Sequence, residues 1–216
     1  MDFAAIRKEY ENQGLELDQM DNDPITEFKS WFSLAVSKSP GEWYEPNAMT
    51  LATSDLRGRV TARIVLLKEI RDSELMFFSN YLSDKAEQIS ERDTVALCFH
   101  WPYLARQIRV EGRARKSSTE DSLAYFHSRP RGAQIGAWAS AQSSKIESRA
   151  ELETRVKEID LQFSGQPIPL PPFWGGYRVT PTRLEFWQGR VDRLHDRFAY
   201  IYDPIAKCWM RQRLAP

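Results

Sequence analysis

The sequence predicts a mainly β domain with helices (α+β), a β-barrel decorated by helical segments. From about Asn47 onward the chain breaks into short runs rich in β-branched and aromatic residues, separated by turn signals such as Leu56-Arg57-Gly58. Sequential strands at this spacing are expected to pair antiparallel and to close into a barrel. Hydrophobic residues make up 42% of the 216 residues and charged residues 28%, a mix that supports a substantial core without metal or disulfide staples.

In chain order, residues 1–22 are expected to form an arm or short helix ahead of one domain over 23–216. Asp23-Pro24 followed by ITEFKSWFSLAVSKSPG reads as a helix, with a capping Asp, Pro at the first position and Pro40-Gly41 as the stop. The runs AMTLATS, RVTARIVLLKEI, ELMFFSN, TVALCFHW and ARQIRVEGRARK then read as strands. Helical patterns interrupt them at SDKAEQISERD, SSTEDSLAYFHSR and SSKIESRAELETRVKEIDLQF, each opened by a serine, and Ser117 with Glu120 matches a capping box. Beyond the connector PIPLPP come four more β-like runs, FWGGYRVT, RLEFWQG, RFAYIYD and KCWMRQRL.

Composition excludes several function classes. The 30 basic and 30 acidic residues cancel, which argues against nucleic acid or an anionic membrane as a partner. Cys98 and Cys208 lack CxxC spacing and are expected to be buried free thiols, with no metal site. The N-terminus carries charges where a signal peptide needs an apolar run, and no window approaches 18 uninterrupted apolar residues, so the cytoplasm is the expected location.

Five segments carry candidate chemistry. Arg63 and Lys68 bracket an apolar strand, and a side-chain period of two sends positions five apart to opposite faces, so two separate anions could be served. The ordinary alternative is a pair of strand-end cations reaching water. Ser83-Asp84-Lys85 opens a helix whose free N–H groups and dipole favour an anion, although Asp84 could itself be that negative group. In ARQIRVEGRARK the odd positions share a wet or ligand-facing side, and Gln107 offers donor and acceptor together. Tyr125 and Arg129, four residues apart at a helix end, could grip a phosphate, or Arg129 could merely complement the helix dipole. Finally Trp187 precedes Arg193, His195 and Arg197, which in a strand would point the same way and call for an anionic ligand.

The stretches RIVLLK, YFHSRPR, QIGAW, QSS, PPFWGG, EFWQG, RLHDRF and RLAP, in this order and spacing, resemble the pyridoxine (pyridoxamine) 5′-phosphate oxidase family over nearly the whole chain. The resemblance implies an FMN-binding split β-barrel homodimer with each flavin between subunits. It implies FMN-dependent oxidation of pyridoxine 5′-phosphate and pyridoxamine 5′-phosphate by O2 to pyridoxal 5′-phosphate, releasing H2O2 and, from the amine, NH3. By motif position, Arg63, Ile64, Val65, Leu66, Leu67, Lys68, Phe78, Ser79, Lys85, Gln107, Gln142, Ser143, Trp187 and Arg197 would form the flavin site. Lys68, Tyr125 and Arg129 would bind the substrate phosphate, while Arg193, Leu194 and His195 would embrace the pyridine ring. Arg193 and His195 would act by orientation and positive charge, and Arg7, Lys8, Glu9 and Tyr10 would form a lid. The chain departs from the family pattern at Asp84, where many members carry Arg, and at Ala133, where Ser is common. The competing readings are another flavin-binding split-barrel reductase and a non-enzymatic carrier of pyridoxal phosphate.

Overall fold

The computed structural model describes Tyr10 and residues 14–216. Asp23 caps the first helix, α1 (Pro24–Ser37), accepting from the backbone N–H of Ile25 and Thr26 at 3.3 and 3.0 Å. The helix buries Ile25, Phe28, Trp31 and Ala35 against the sheet, the helical spacing that its sequence showed. Strands β1 (Ala48–Ser54), β2 (Val60–Leu66), β3 (Glu69–Arg71) and β4 (Glu74–Asn80) follow. Next come α2 (Asp84–Glu91), β5 (Thr94–Trp101), β6 (Arg106–Lys116) and the helices α3 (Thr119–Ser128), α4 (Arg131–Ala139) and α5 (Arg149–Gln162). The chain ends in β7 (Trp174–Gln188), β8 (Asp196–Asp203) and β9 (Cys208–Leu214).

All strand pairings are antiparallel, in the order β2-β1-β5-β6-β7-β4-β3, with β8 added to β7 and β9 to β8. Strands β2 and β3 stand at opposite ends of that path, yet only Leu67 and Lys68 separate them in sequence. The Leu67 N–H bonds to Asn47 O at 2.9 Å on the β1 side, and the Lys68 N–H bonds to Met76 O at 2.8 Å on the β4 side. A link that short forces the two ends together, so the sheet curls into the split barrel. Its interior is filled by Met49, Leu51, Leu75, Phe77, Leu97, Phe99, Ile108, Val110, Leu184 and Phe186.

Several local expectations change. The run RVTARIVLLKEI is two strands broken at the seam, whereas FWGGYRVT and RLEFWQG are one strand, β7. Pro181 is tolerated inside β7 because the register with β6 shifts between Glu111 and Gly112, a bulge that accommodates the missing N–H. The α3 cap is Ser118, which accepts from the Asp121 N–H at 3.0 Å, so the capping box at Ser117 does not form. Helix α5 starts at Arg149 behind Ser148, leaving 143–148 outside it, and Cys208 is exposed rather than buried. No described helix is long and apolar enough to cross a membrane.

The helical excursion packs on a second small core of Phe126, Ile135, Ile168 and Trp174. It approaches β7 at Gly175 and Gly176, where a Cβ on Gly176 would stand 2.9 Å from the Phe78 ring and collide with Ser117 Oγ. Gly176→Ala is therefore expected to destabilise the fold by about 1–3 kcal/mol. Thermal melts of the two proteins check this, and an unchanged midpoint contradicts it.

Candidate functional site

The barrel seam and the helical excursion enclose a cavity of about 900 Å³. Strand β2 contributes Arg63, Ile64, Val65 and Leu66, the seam contributes Lys68, and the end of β4 contributes Phe78, Ser79 and Asn80. Asp84 and Lys85 enter from the start of α2, Tyr125 and Arg129 from the end of α3, and Ala133, Gly136 and Ala137 from α4. Pro130, Ser140, Gln142, Ser143 and Trp174 complete the lining. Arg63 and Lys68, expected on opposite faces, thus share one cavity, because strand alternation ends at Leu66. The side chain of Leu67, a residue expected at the flavin through its backbone, turns into the core.

One end of the cavity is a cationic cradle with neutral partners. Lys85 is buried and its ammonium donates to Ser83 Oγ at 2.9 Å, Gln142 Oε1 at 2.9 Å and Ser79 Oγ at 3.1 Å. Burial, reinforced by the nearby Arg63 charge, lowers its pKa to about 8, with Asp84 opposing. Arg63 donates to Leu51 O at 3.2 Å and Thr53 Oγ1 at 2.6 Å, and also to Thr61 Oγ1. Thr61 donates onward to Gln88 Oε1 of α2 at 2.7 Å, which locks the guanidinium to that helix. Among the described residues neither cation has a carboxylate within salt-bridge distance. Charges held this way are costly unless an anion arrives.

The other end is built on aromatic rings. Tyr125 stacks on Phe78 with centroids 3.9 Å apart, and the Arg129 guanidinium lies 4.8 Å from the Trp174 ring. Arg129 Nη1 is buried without a hydrogen-bond partner, an orphaned cationic donor that suits a phosphate oxygen. Asp121, one turn before Tyr125, anchors α3 by accepting from Arg71 at 2.5 Å and Arg178 at 2.9 Å. The hydrogen bond from Arg71 chiefly holds its carboxyl down to about 2.

The remaining expected residues do not line this cavity. Gln107 on β6 lies opposite Trp187 on β7, which lies opposite Arg197 on β8, so the three form one row across the sheet. Arg197 is held by Glu185 at 2.8 Å and donates to Ala215 O at 2.8 Å. Trp187 contacts His195 at 4.7 Å between centroids, and Tyr10 packs 5.9 Å from each ring. Arg7, Lys8 and Glu9 lie outside the described residues.

The strand expected to align Arg193, His195 and Arg197 is absent: 191–193 form a short 3-10 turn, with Asp192 and Arg193 at φ 52° and 61°. Arg193 and Leu194 are exposed there. His195 is not the cation expected. Burial and the Arg193 charge lower its pKa below 6.5, and its Nδ1 accepts the Arg190 N–H at 3.1 Å, leaving the neutral ring's proton on Nε2. Sequence reading also missed α4 as a wall of the cavity, since Pro130, Gly132 and Gly136 resemble loop punctuation.

Residues 41–163 match the family model described as pyridoxamine 5′-phosphate oxidase, and 174–216 match the pyridoxine 5′-phosphate oxidase C-terminal dimerisation region. A pyridoxine/pyridoxamine 5′-phosphate oxidase of Rubrobacter xylanophilus is 51% identical, with 100% of this chain and 97% of the relative covered. The protein of the same name from Crocosphaera subtropica is 50% identical with 100% of both chains covered. Among solved structures, PhzG from Burkholderia lata, in complex with tetrahydrophenazine-1-carboxylic acid, superposes with a TM-score of 0.87 at 27% identity, covering 97% of this chain and 100% of that one. A pyridoxamine 5′-phosphate oxidase-related, FMN-binding protein from Nostoc punctiforme shares the fold with a TM-score of 0.71 at 18% identity, covering 91% and 100%. The cavity with its two cationic ends thus belongs to a chain matched end to end by these oxidoreductases, and the protein is a member of the pyridoxamine 5′-phosphate oxidase family.

Proposed function

We propose that the protein is an FMN-dependent oxidase that converts pyridoxine 5′-phosphate and pyridoxamine 5′-phosphate to pyridoxal 5′-phosphate. The observation that carries the reading is one cavity lined by Arg63, Lys68, Lys85 and Arg129, in which the cradle around Arg63 and Lys85 and the aromatic platform under Arg129 are built separately. Two phosphates, one on the cofactor and one on the substrate, account for both. The residues fit the flavin phosphate at the first end, where Lys85 has only neutral partners, and the substrate phosphate at the second, where Arg129 Nη1 is orphaned.

Arg63 and Lys85 hold the FMN phosphate, while the Ile64–Leu66 segment, Phe78, Ser79, Gln142 and Ser143 frame the cofactor. Lys68, Tyr125 and Arg129 hold the substrate phosphate. Gln107, Trp187 and Arg197, which stand outside the cavity in their own chain, serve the site of the other copy in a homodimer, as the match of 174–216 to a dimerisation region supports. Arg193, Leu194 and His195 travel with that row and close on the pyridine ring, His195 as a neutral Nε2–H donor and Arg193 as the cation. Tyr10, packed on Trp187 and His195, covers the ring. Bound FMN supplies the two-electron acceptor, which O2 reoxidises with formation of H2O2. The alcohol loses two electrons and two protons to give the aldehyde directly; the amine gives an imine that water hydrolyses to aldehyde and NH3. The protein's own part is to bind, orient and exclude water, because hydride departure from a carbon beside the ring requires no strong base.

The purified protein is expected to show a flavin band that bleaches anaerobically on adding pyridoxine 5′-phosphate or pyridoxamine 5′-phosphate, with H2O2 appearing once air is admitted. A colourless preparation that does not take up FMN overturns the reading.

Lys85, with its pKa lowered to about 8 in the ligand-free protein, loses its positive charge as pH rises through that value, and a phosphate favours the charged form. FMN affinity, read by quenching of flavin fluorescence, should therefore fall as pH rises from 8 to 10, and Lys85→Met should flatten that dependence. Asp84 opposes the anion from the same end, so Asp84→Asn should tighten FMN by roughly fivefold, about 1 kcal/mol of Coulomb interaction near the surface. Arg193→Leu should lower kcat/KM by roughly 100-fold with FMN content unchanged; equal loss of cofactor contradicts its placement at the substrate.

A further inference from the structure

Glycine inside a helix destabilises it by roughly 1 kcal/mol relative to alanine, so a mid-helix glycine asks for a local reason. Gly136 lies inside α4 and lines the cavity. Backbone geometry does not supply the reason, since the positive-φ glycines are Gly41, Gly58 and Gly165. Packing does not supply it either. A Cβ built on Gly136 meets nothing within 4 Å outside its own helical turn, unlike Gly175 and Gly176, where side chains crowd the position. Ala133 and Ser140, three residues before and four after it, lie at helical spacing and line the same cavity, as does the adjacent Ala137, so this wall is kept shallow along its length. The wall starts just beyond Arg129, whose buried Nη1 has no partner.

We propose that Gly136 is a specificity-determining residue, whose missing side chain leaves the clearance that admits the substrate's planar ring beside the phosphate held by Arg129. The inference rests on the functional reading above and adds to it the residue that limits ring size. Ala133 lies in the first turn of α4, which opens at Arg131 two residues after Arg129, and Gly136 is roughly 4.5 Å further along the helix axis, where a ring attached to a phosphate held by Arg129 would lie. A methyl at 136 narrows the slot and an isobutyl group blocks it, while the helix itself gains from either.

The test compares wild type, Gly136→Ala and Gly136→Leu as holoenzymes. Four quantities are read: thermal midpoint, flavin-to-protein absorbance, oligomeric state by size exclusion, and the Kd for the product pyridoxal 5′-phosphate by calorimetric titration. Alanine should raise the midpoint by roughly 2–4 °C and weaken pyridoxal 5′-phosphate about threefold. Leucine should weaken it at least roughly tenfold, with flavin content and oligomeric state unchanged. An unchanged Kd in both variants, a lower midpoint for alanine, or a loss that tracks departure of FMN or dissociation of subunits overturns the proposal. Should leucine prevent folding, the alanine protein decides alone. A wild type that binds neither FMN nor pyridoxal 5′-phosphate overturns the functional reading as well, whereas normal wild-type binding with indifferent variants removes only the role of Gly136.

Discussion

Leu67 and Lys68 carry the chain from one end of the sheet path to the other, and everything in the cavity depends on that crossing. Two residues span at most about 7 Å, so β2 and β3 must lie side by side across the seam even though five strands separate them in the pairing order. Closure brings Arg63 and Lys68 into one cavity together with Lys85 at the head of α2 and the end of α3. The buried Leu67 side chain fastens the seam from within.

The energetic character of the site follows from what its cations are denied. Elsewhere arginines meet carboxylates: Arg178 and Arg115 share Glu74, Arg178 and Arg71 share Asp121, and Arg197 and Arg183 share Glu185. Around the cavity Lys85 and Arg63 have hydroxyls, amides and carbonyls instead, and Arg129 leans on aromatic rings with one nitrogen unsatisfied. Neutral acceptors orient a cation without cancelling it, which leaves its charge for a phosphate. The paired charges have the complementary role: the Glu74 and Asp121 network ties β3, β4, β6 and β7 to α3, so Tyr125 and Arg129 are presented by a braced helix.

The row of Gln107, Trp187 and Arg197 is equally rigid but stands on another part of the sheet, and His195 and Tyr10 gather on Trp187. One chain thus carries a cationic cavity and, apart from it, an aromatic row on the sheet. Under the proposed function, a site shared between two copies would use both, and ligand binding would then be coupled to assembly.

Much of this was legible in the amino-acid sequence, because α1, most strand runs and the alternation of β6 depend on neighbours two to four residues away. The ordered motifs also identified the family and named most cavity residues, from Arg63 and Lys85 to Tyr125 and Arg129. What the sequence did not contain was distance between remote segments. The merging of FWGGYRVT and RLEFWQG into β7 depends on a bulge at Thr182, the turn at 191–193 depends on its surroundings, and α4 is a wall only because the second core of Ile135 and Trp174 holds it there. The proton position on His195 likewise comes from a backbone N–H five residues away in a turn that no periodicity marks. Local periodicity and residue chemistry determined which elements form and which side chains can bind anions; only barrel closure decided which of those side chains share a cavity, because long-range pairing, not local preference, fixes where strand ends meet.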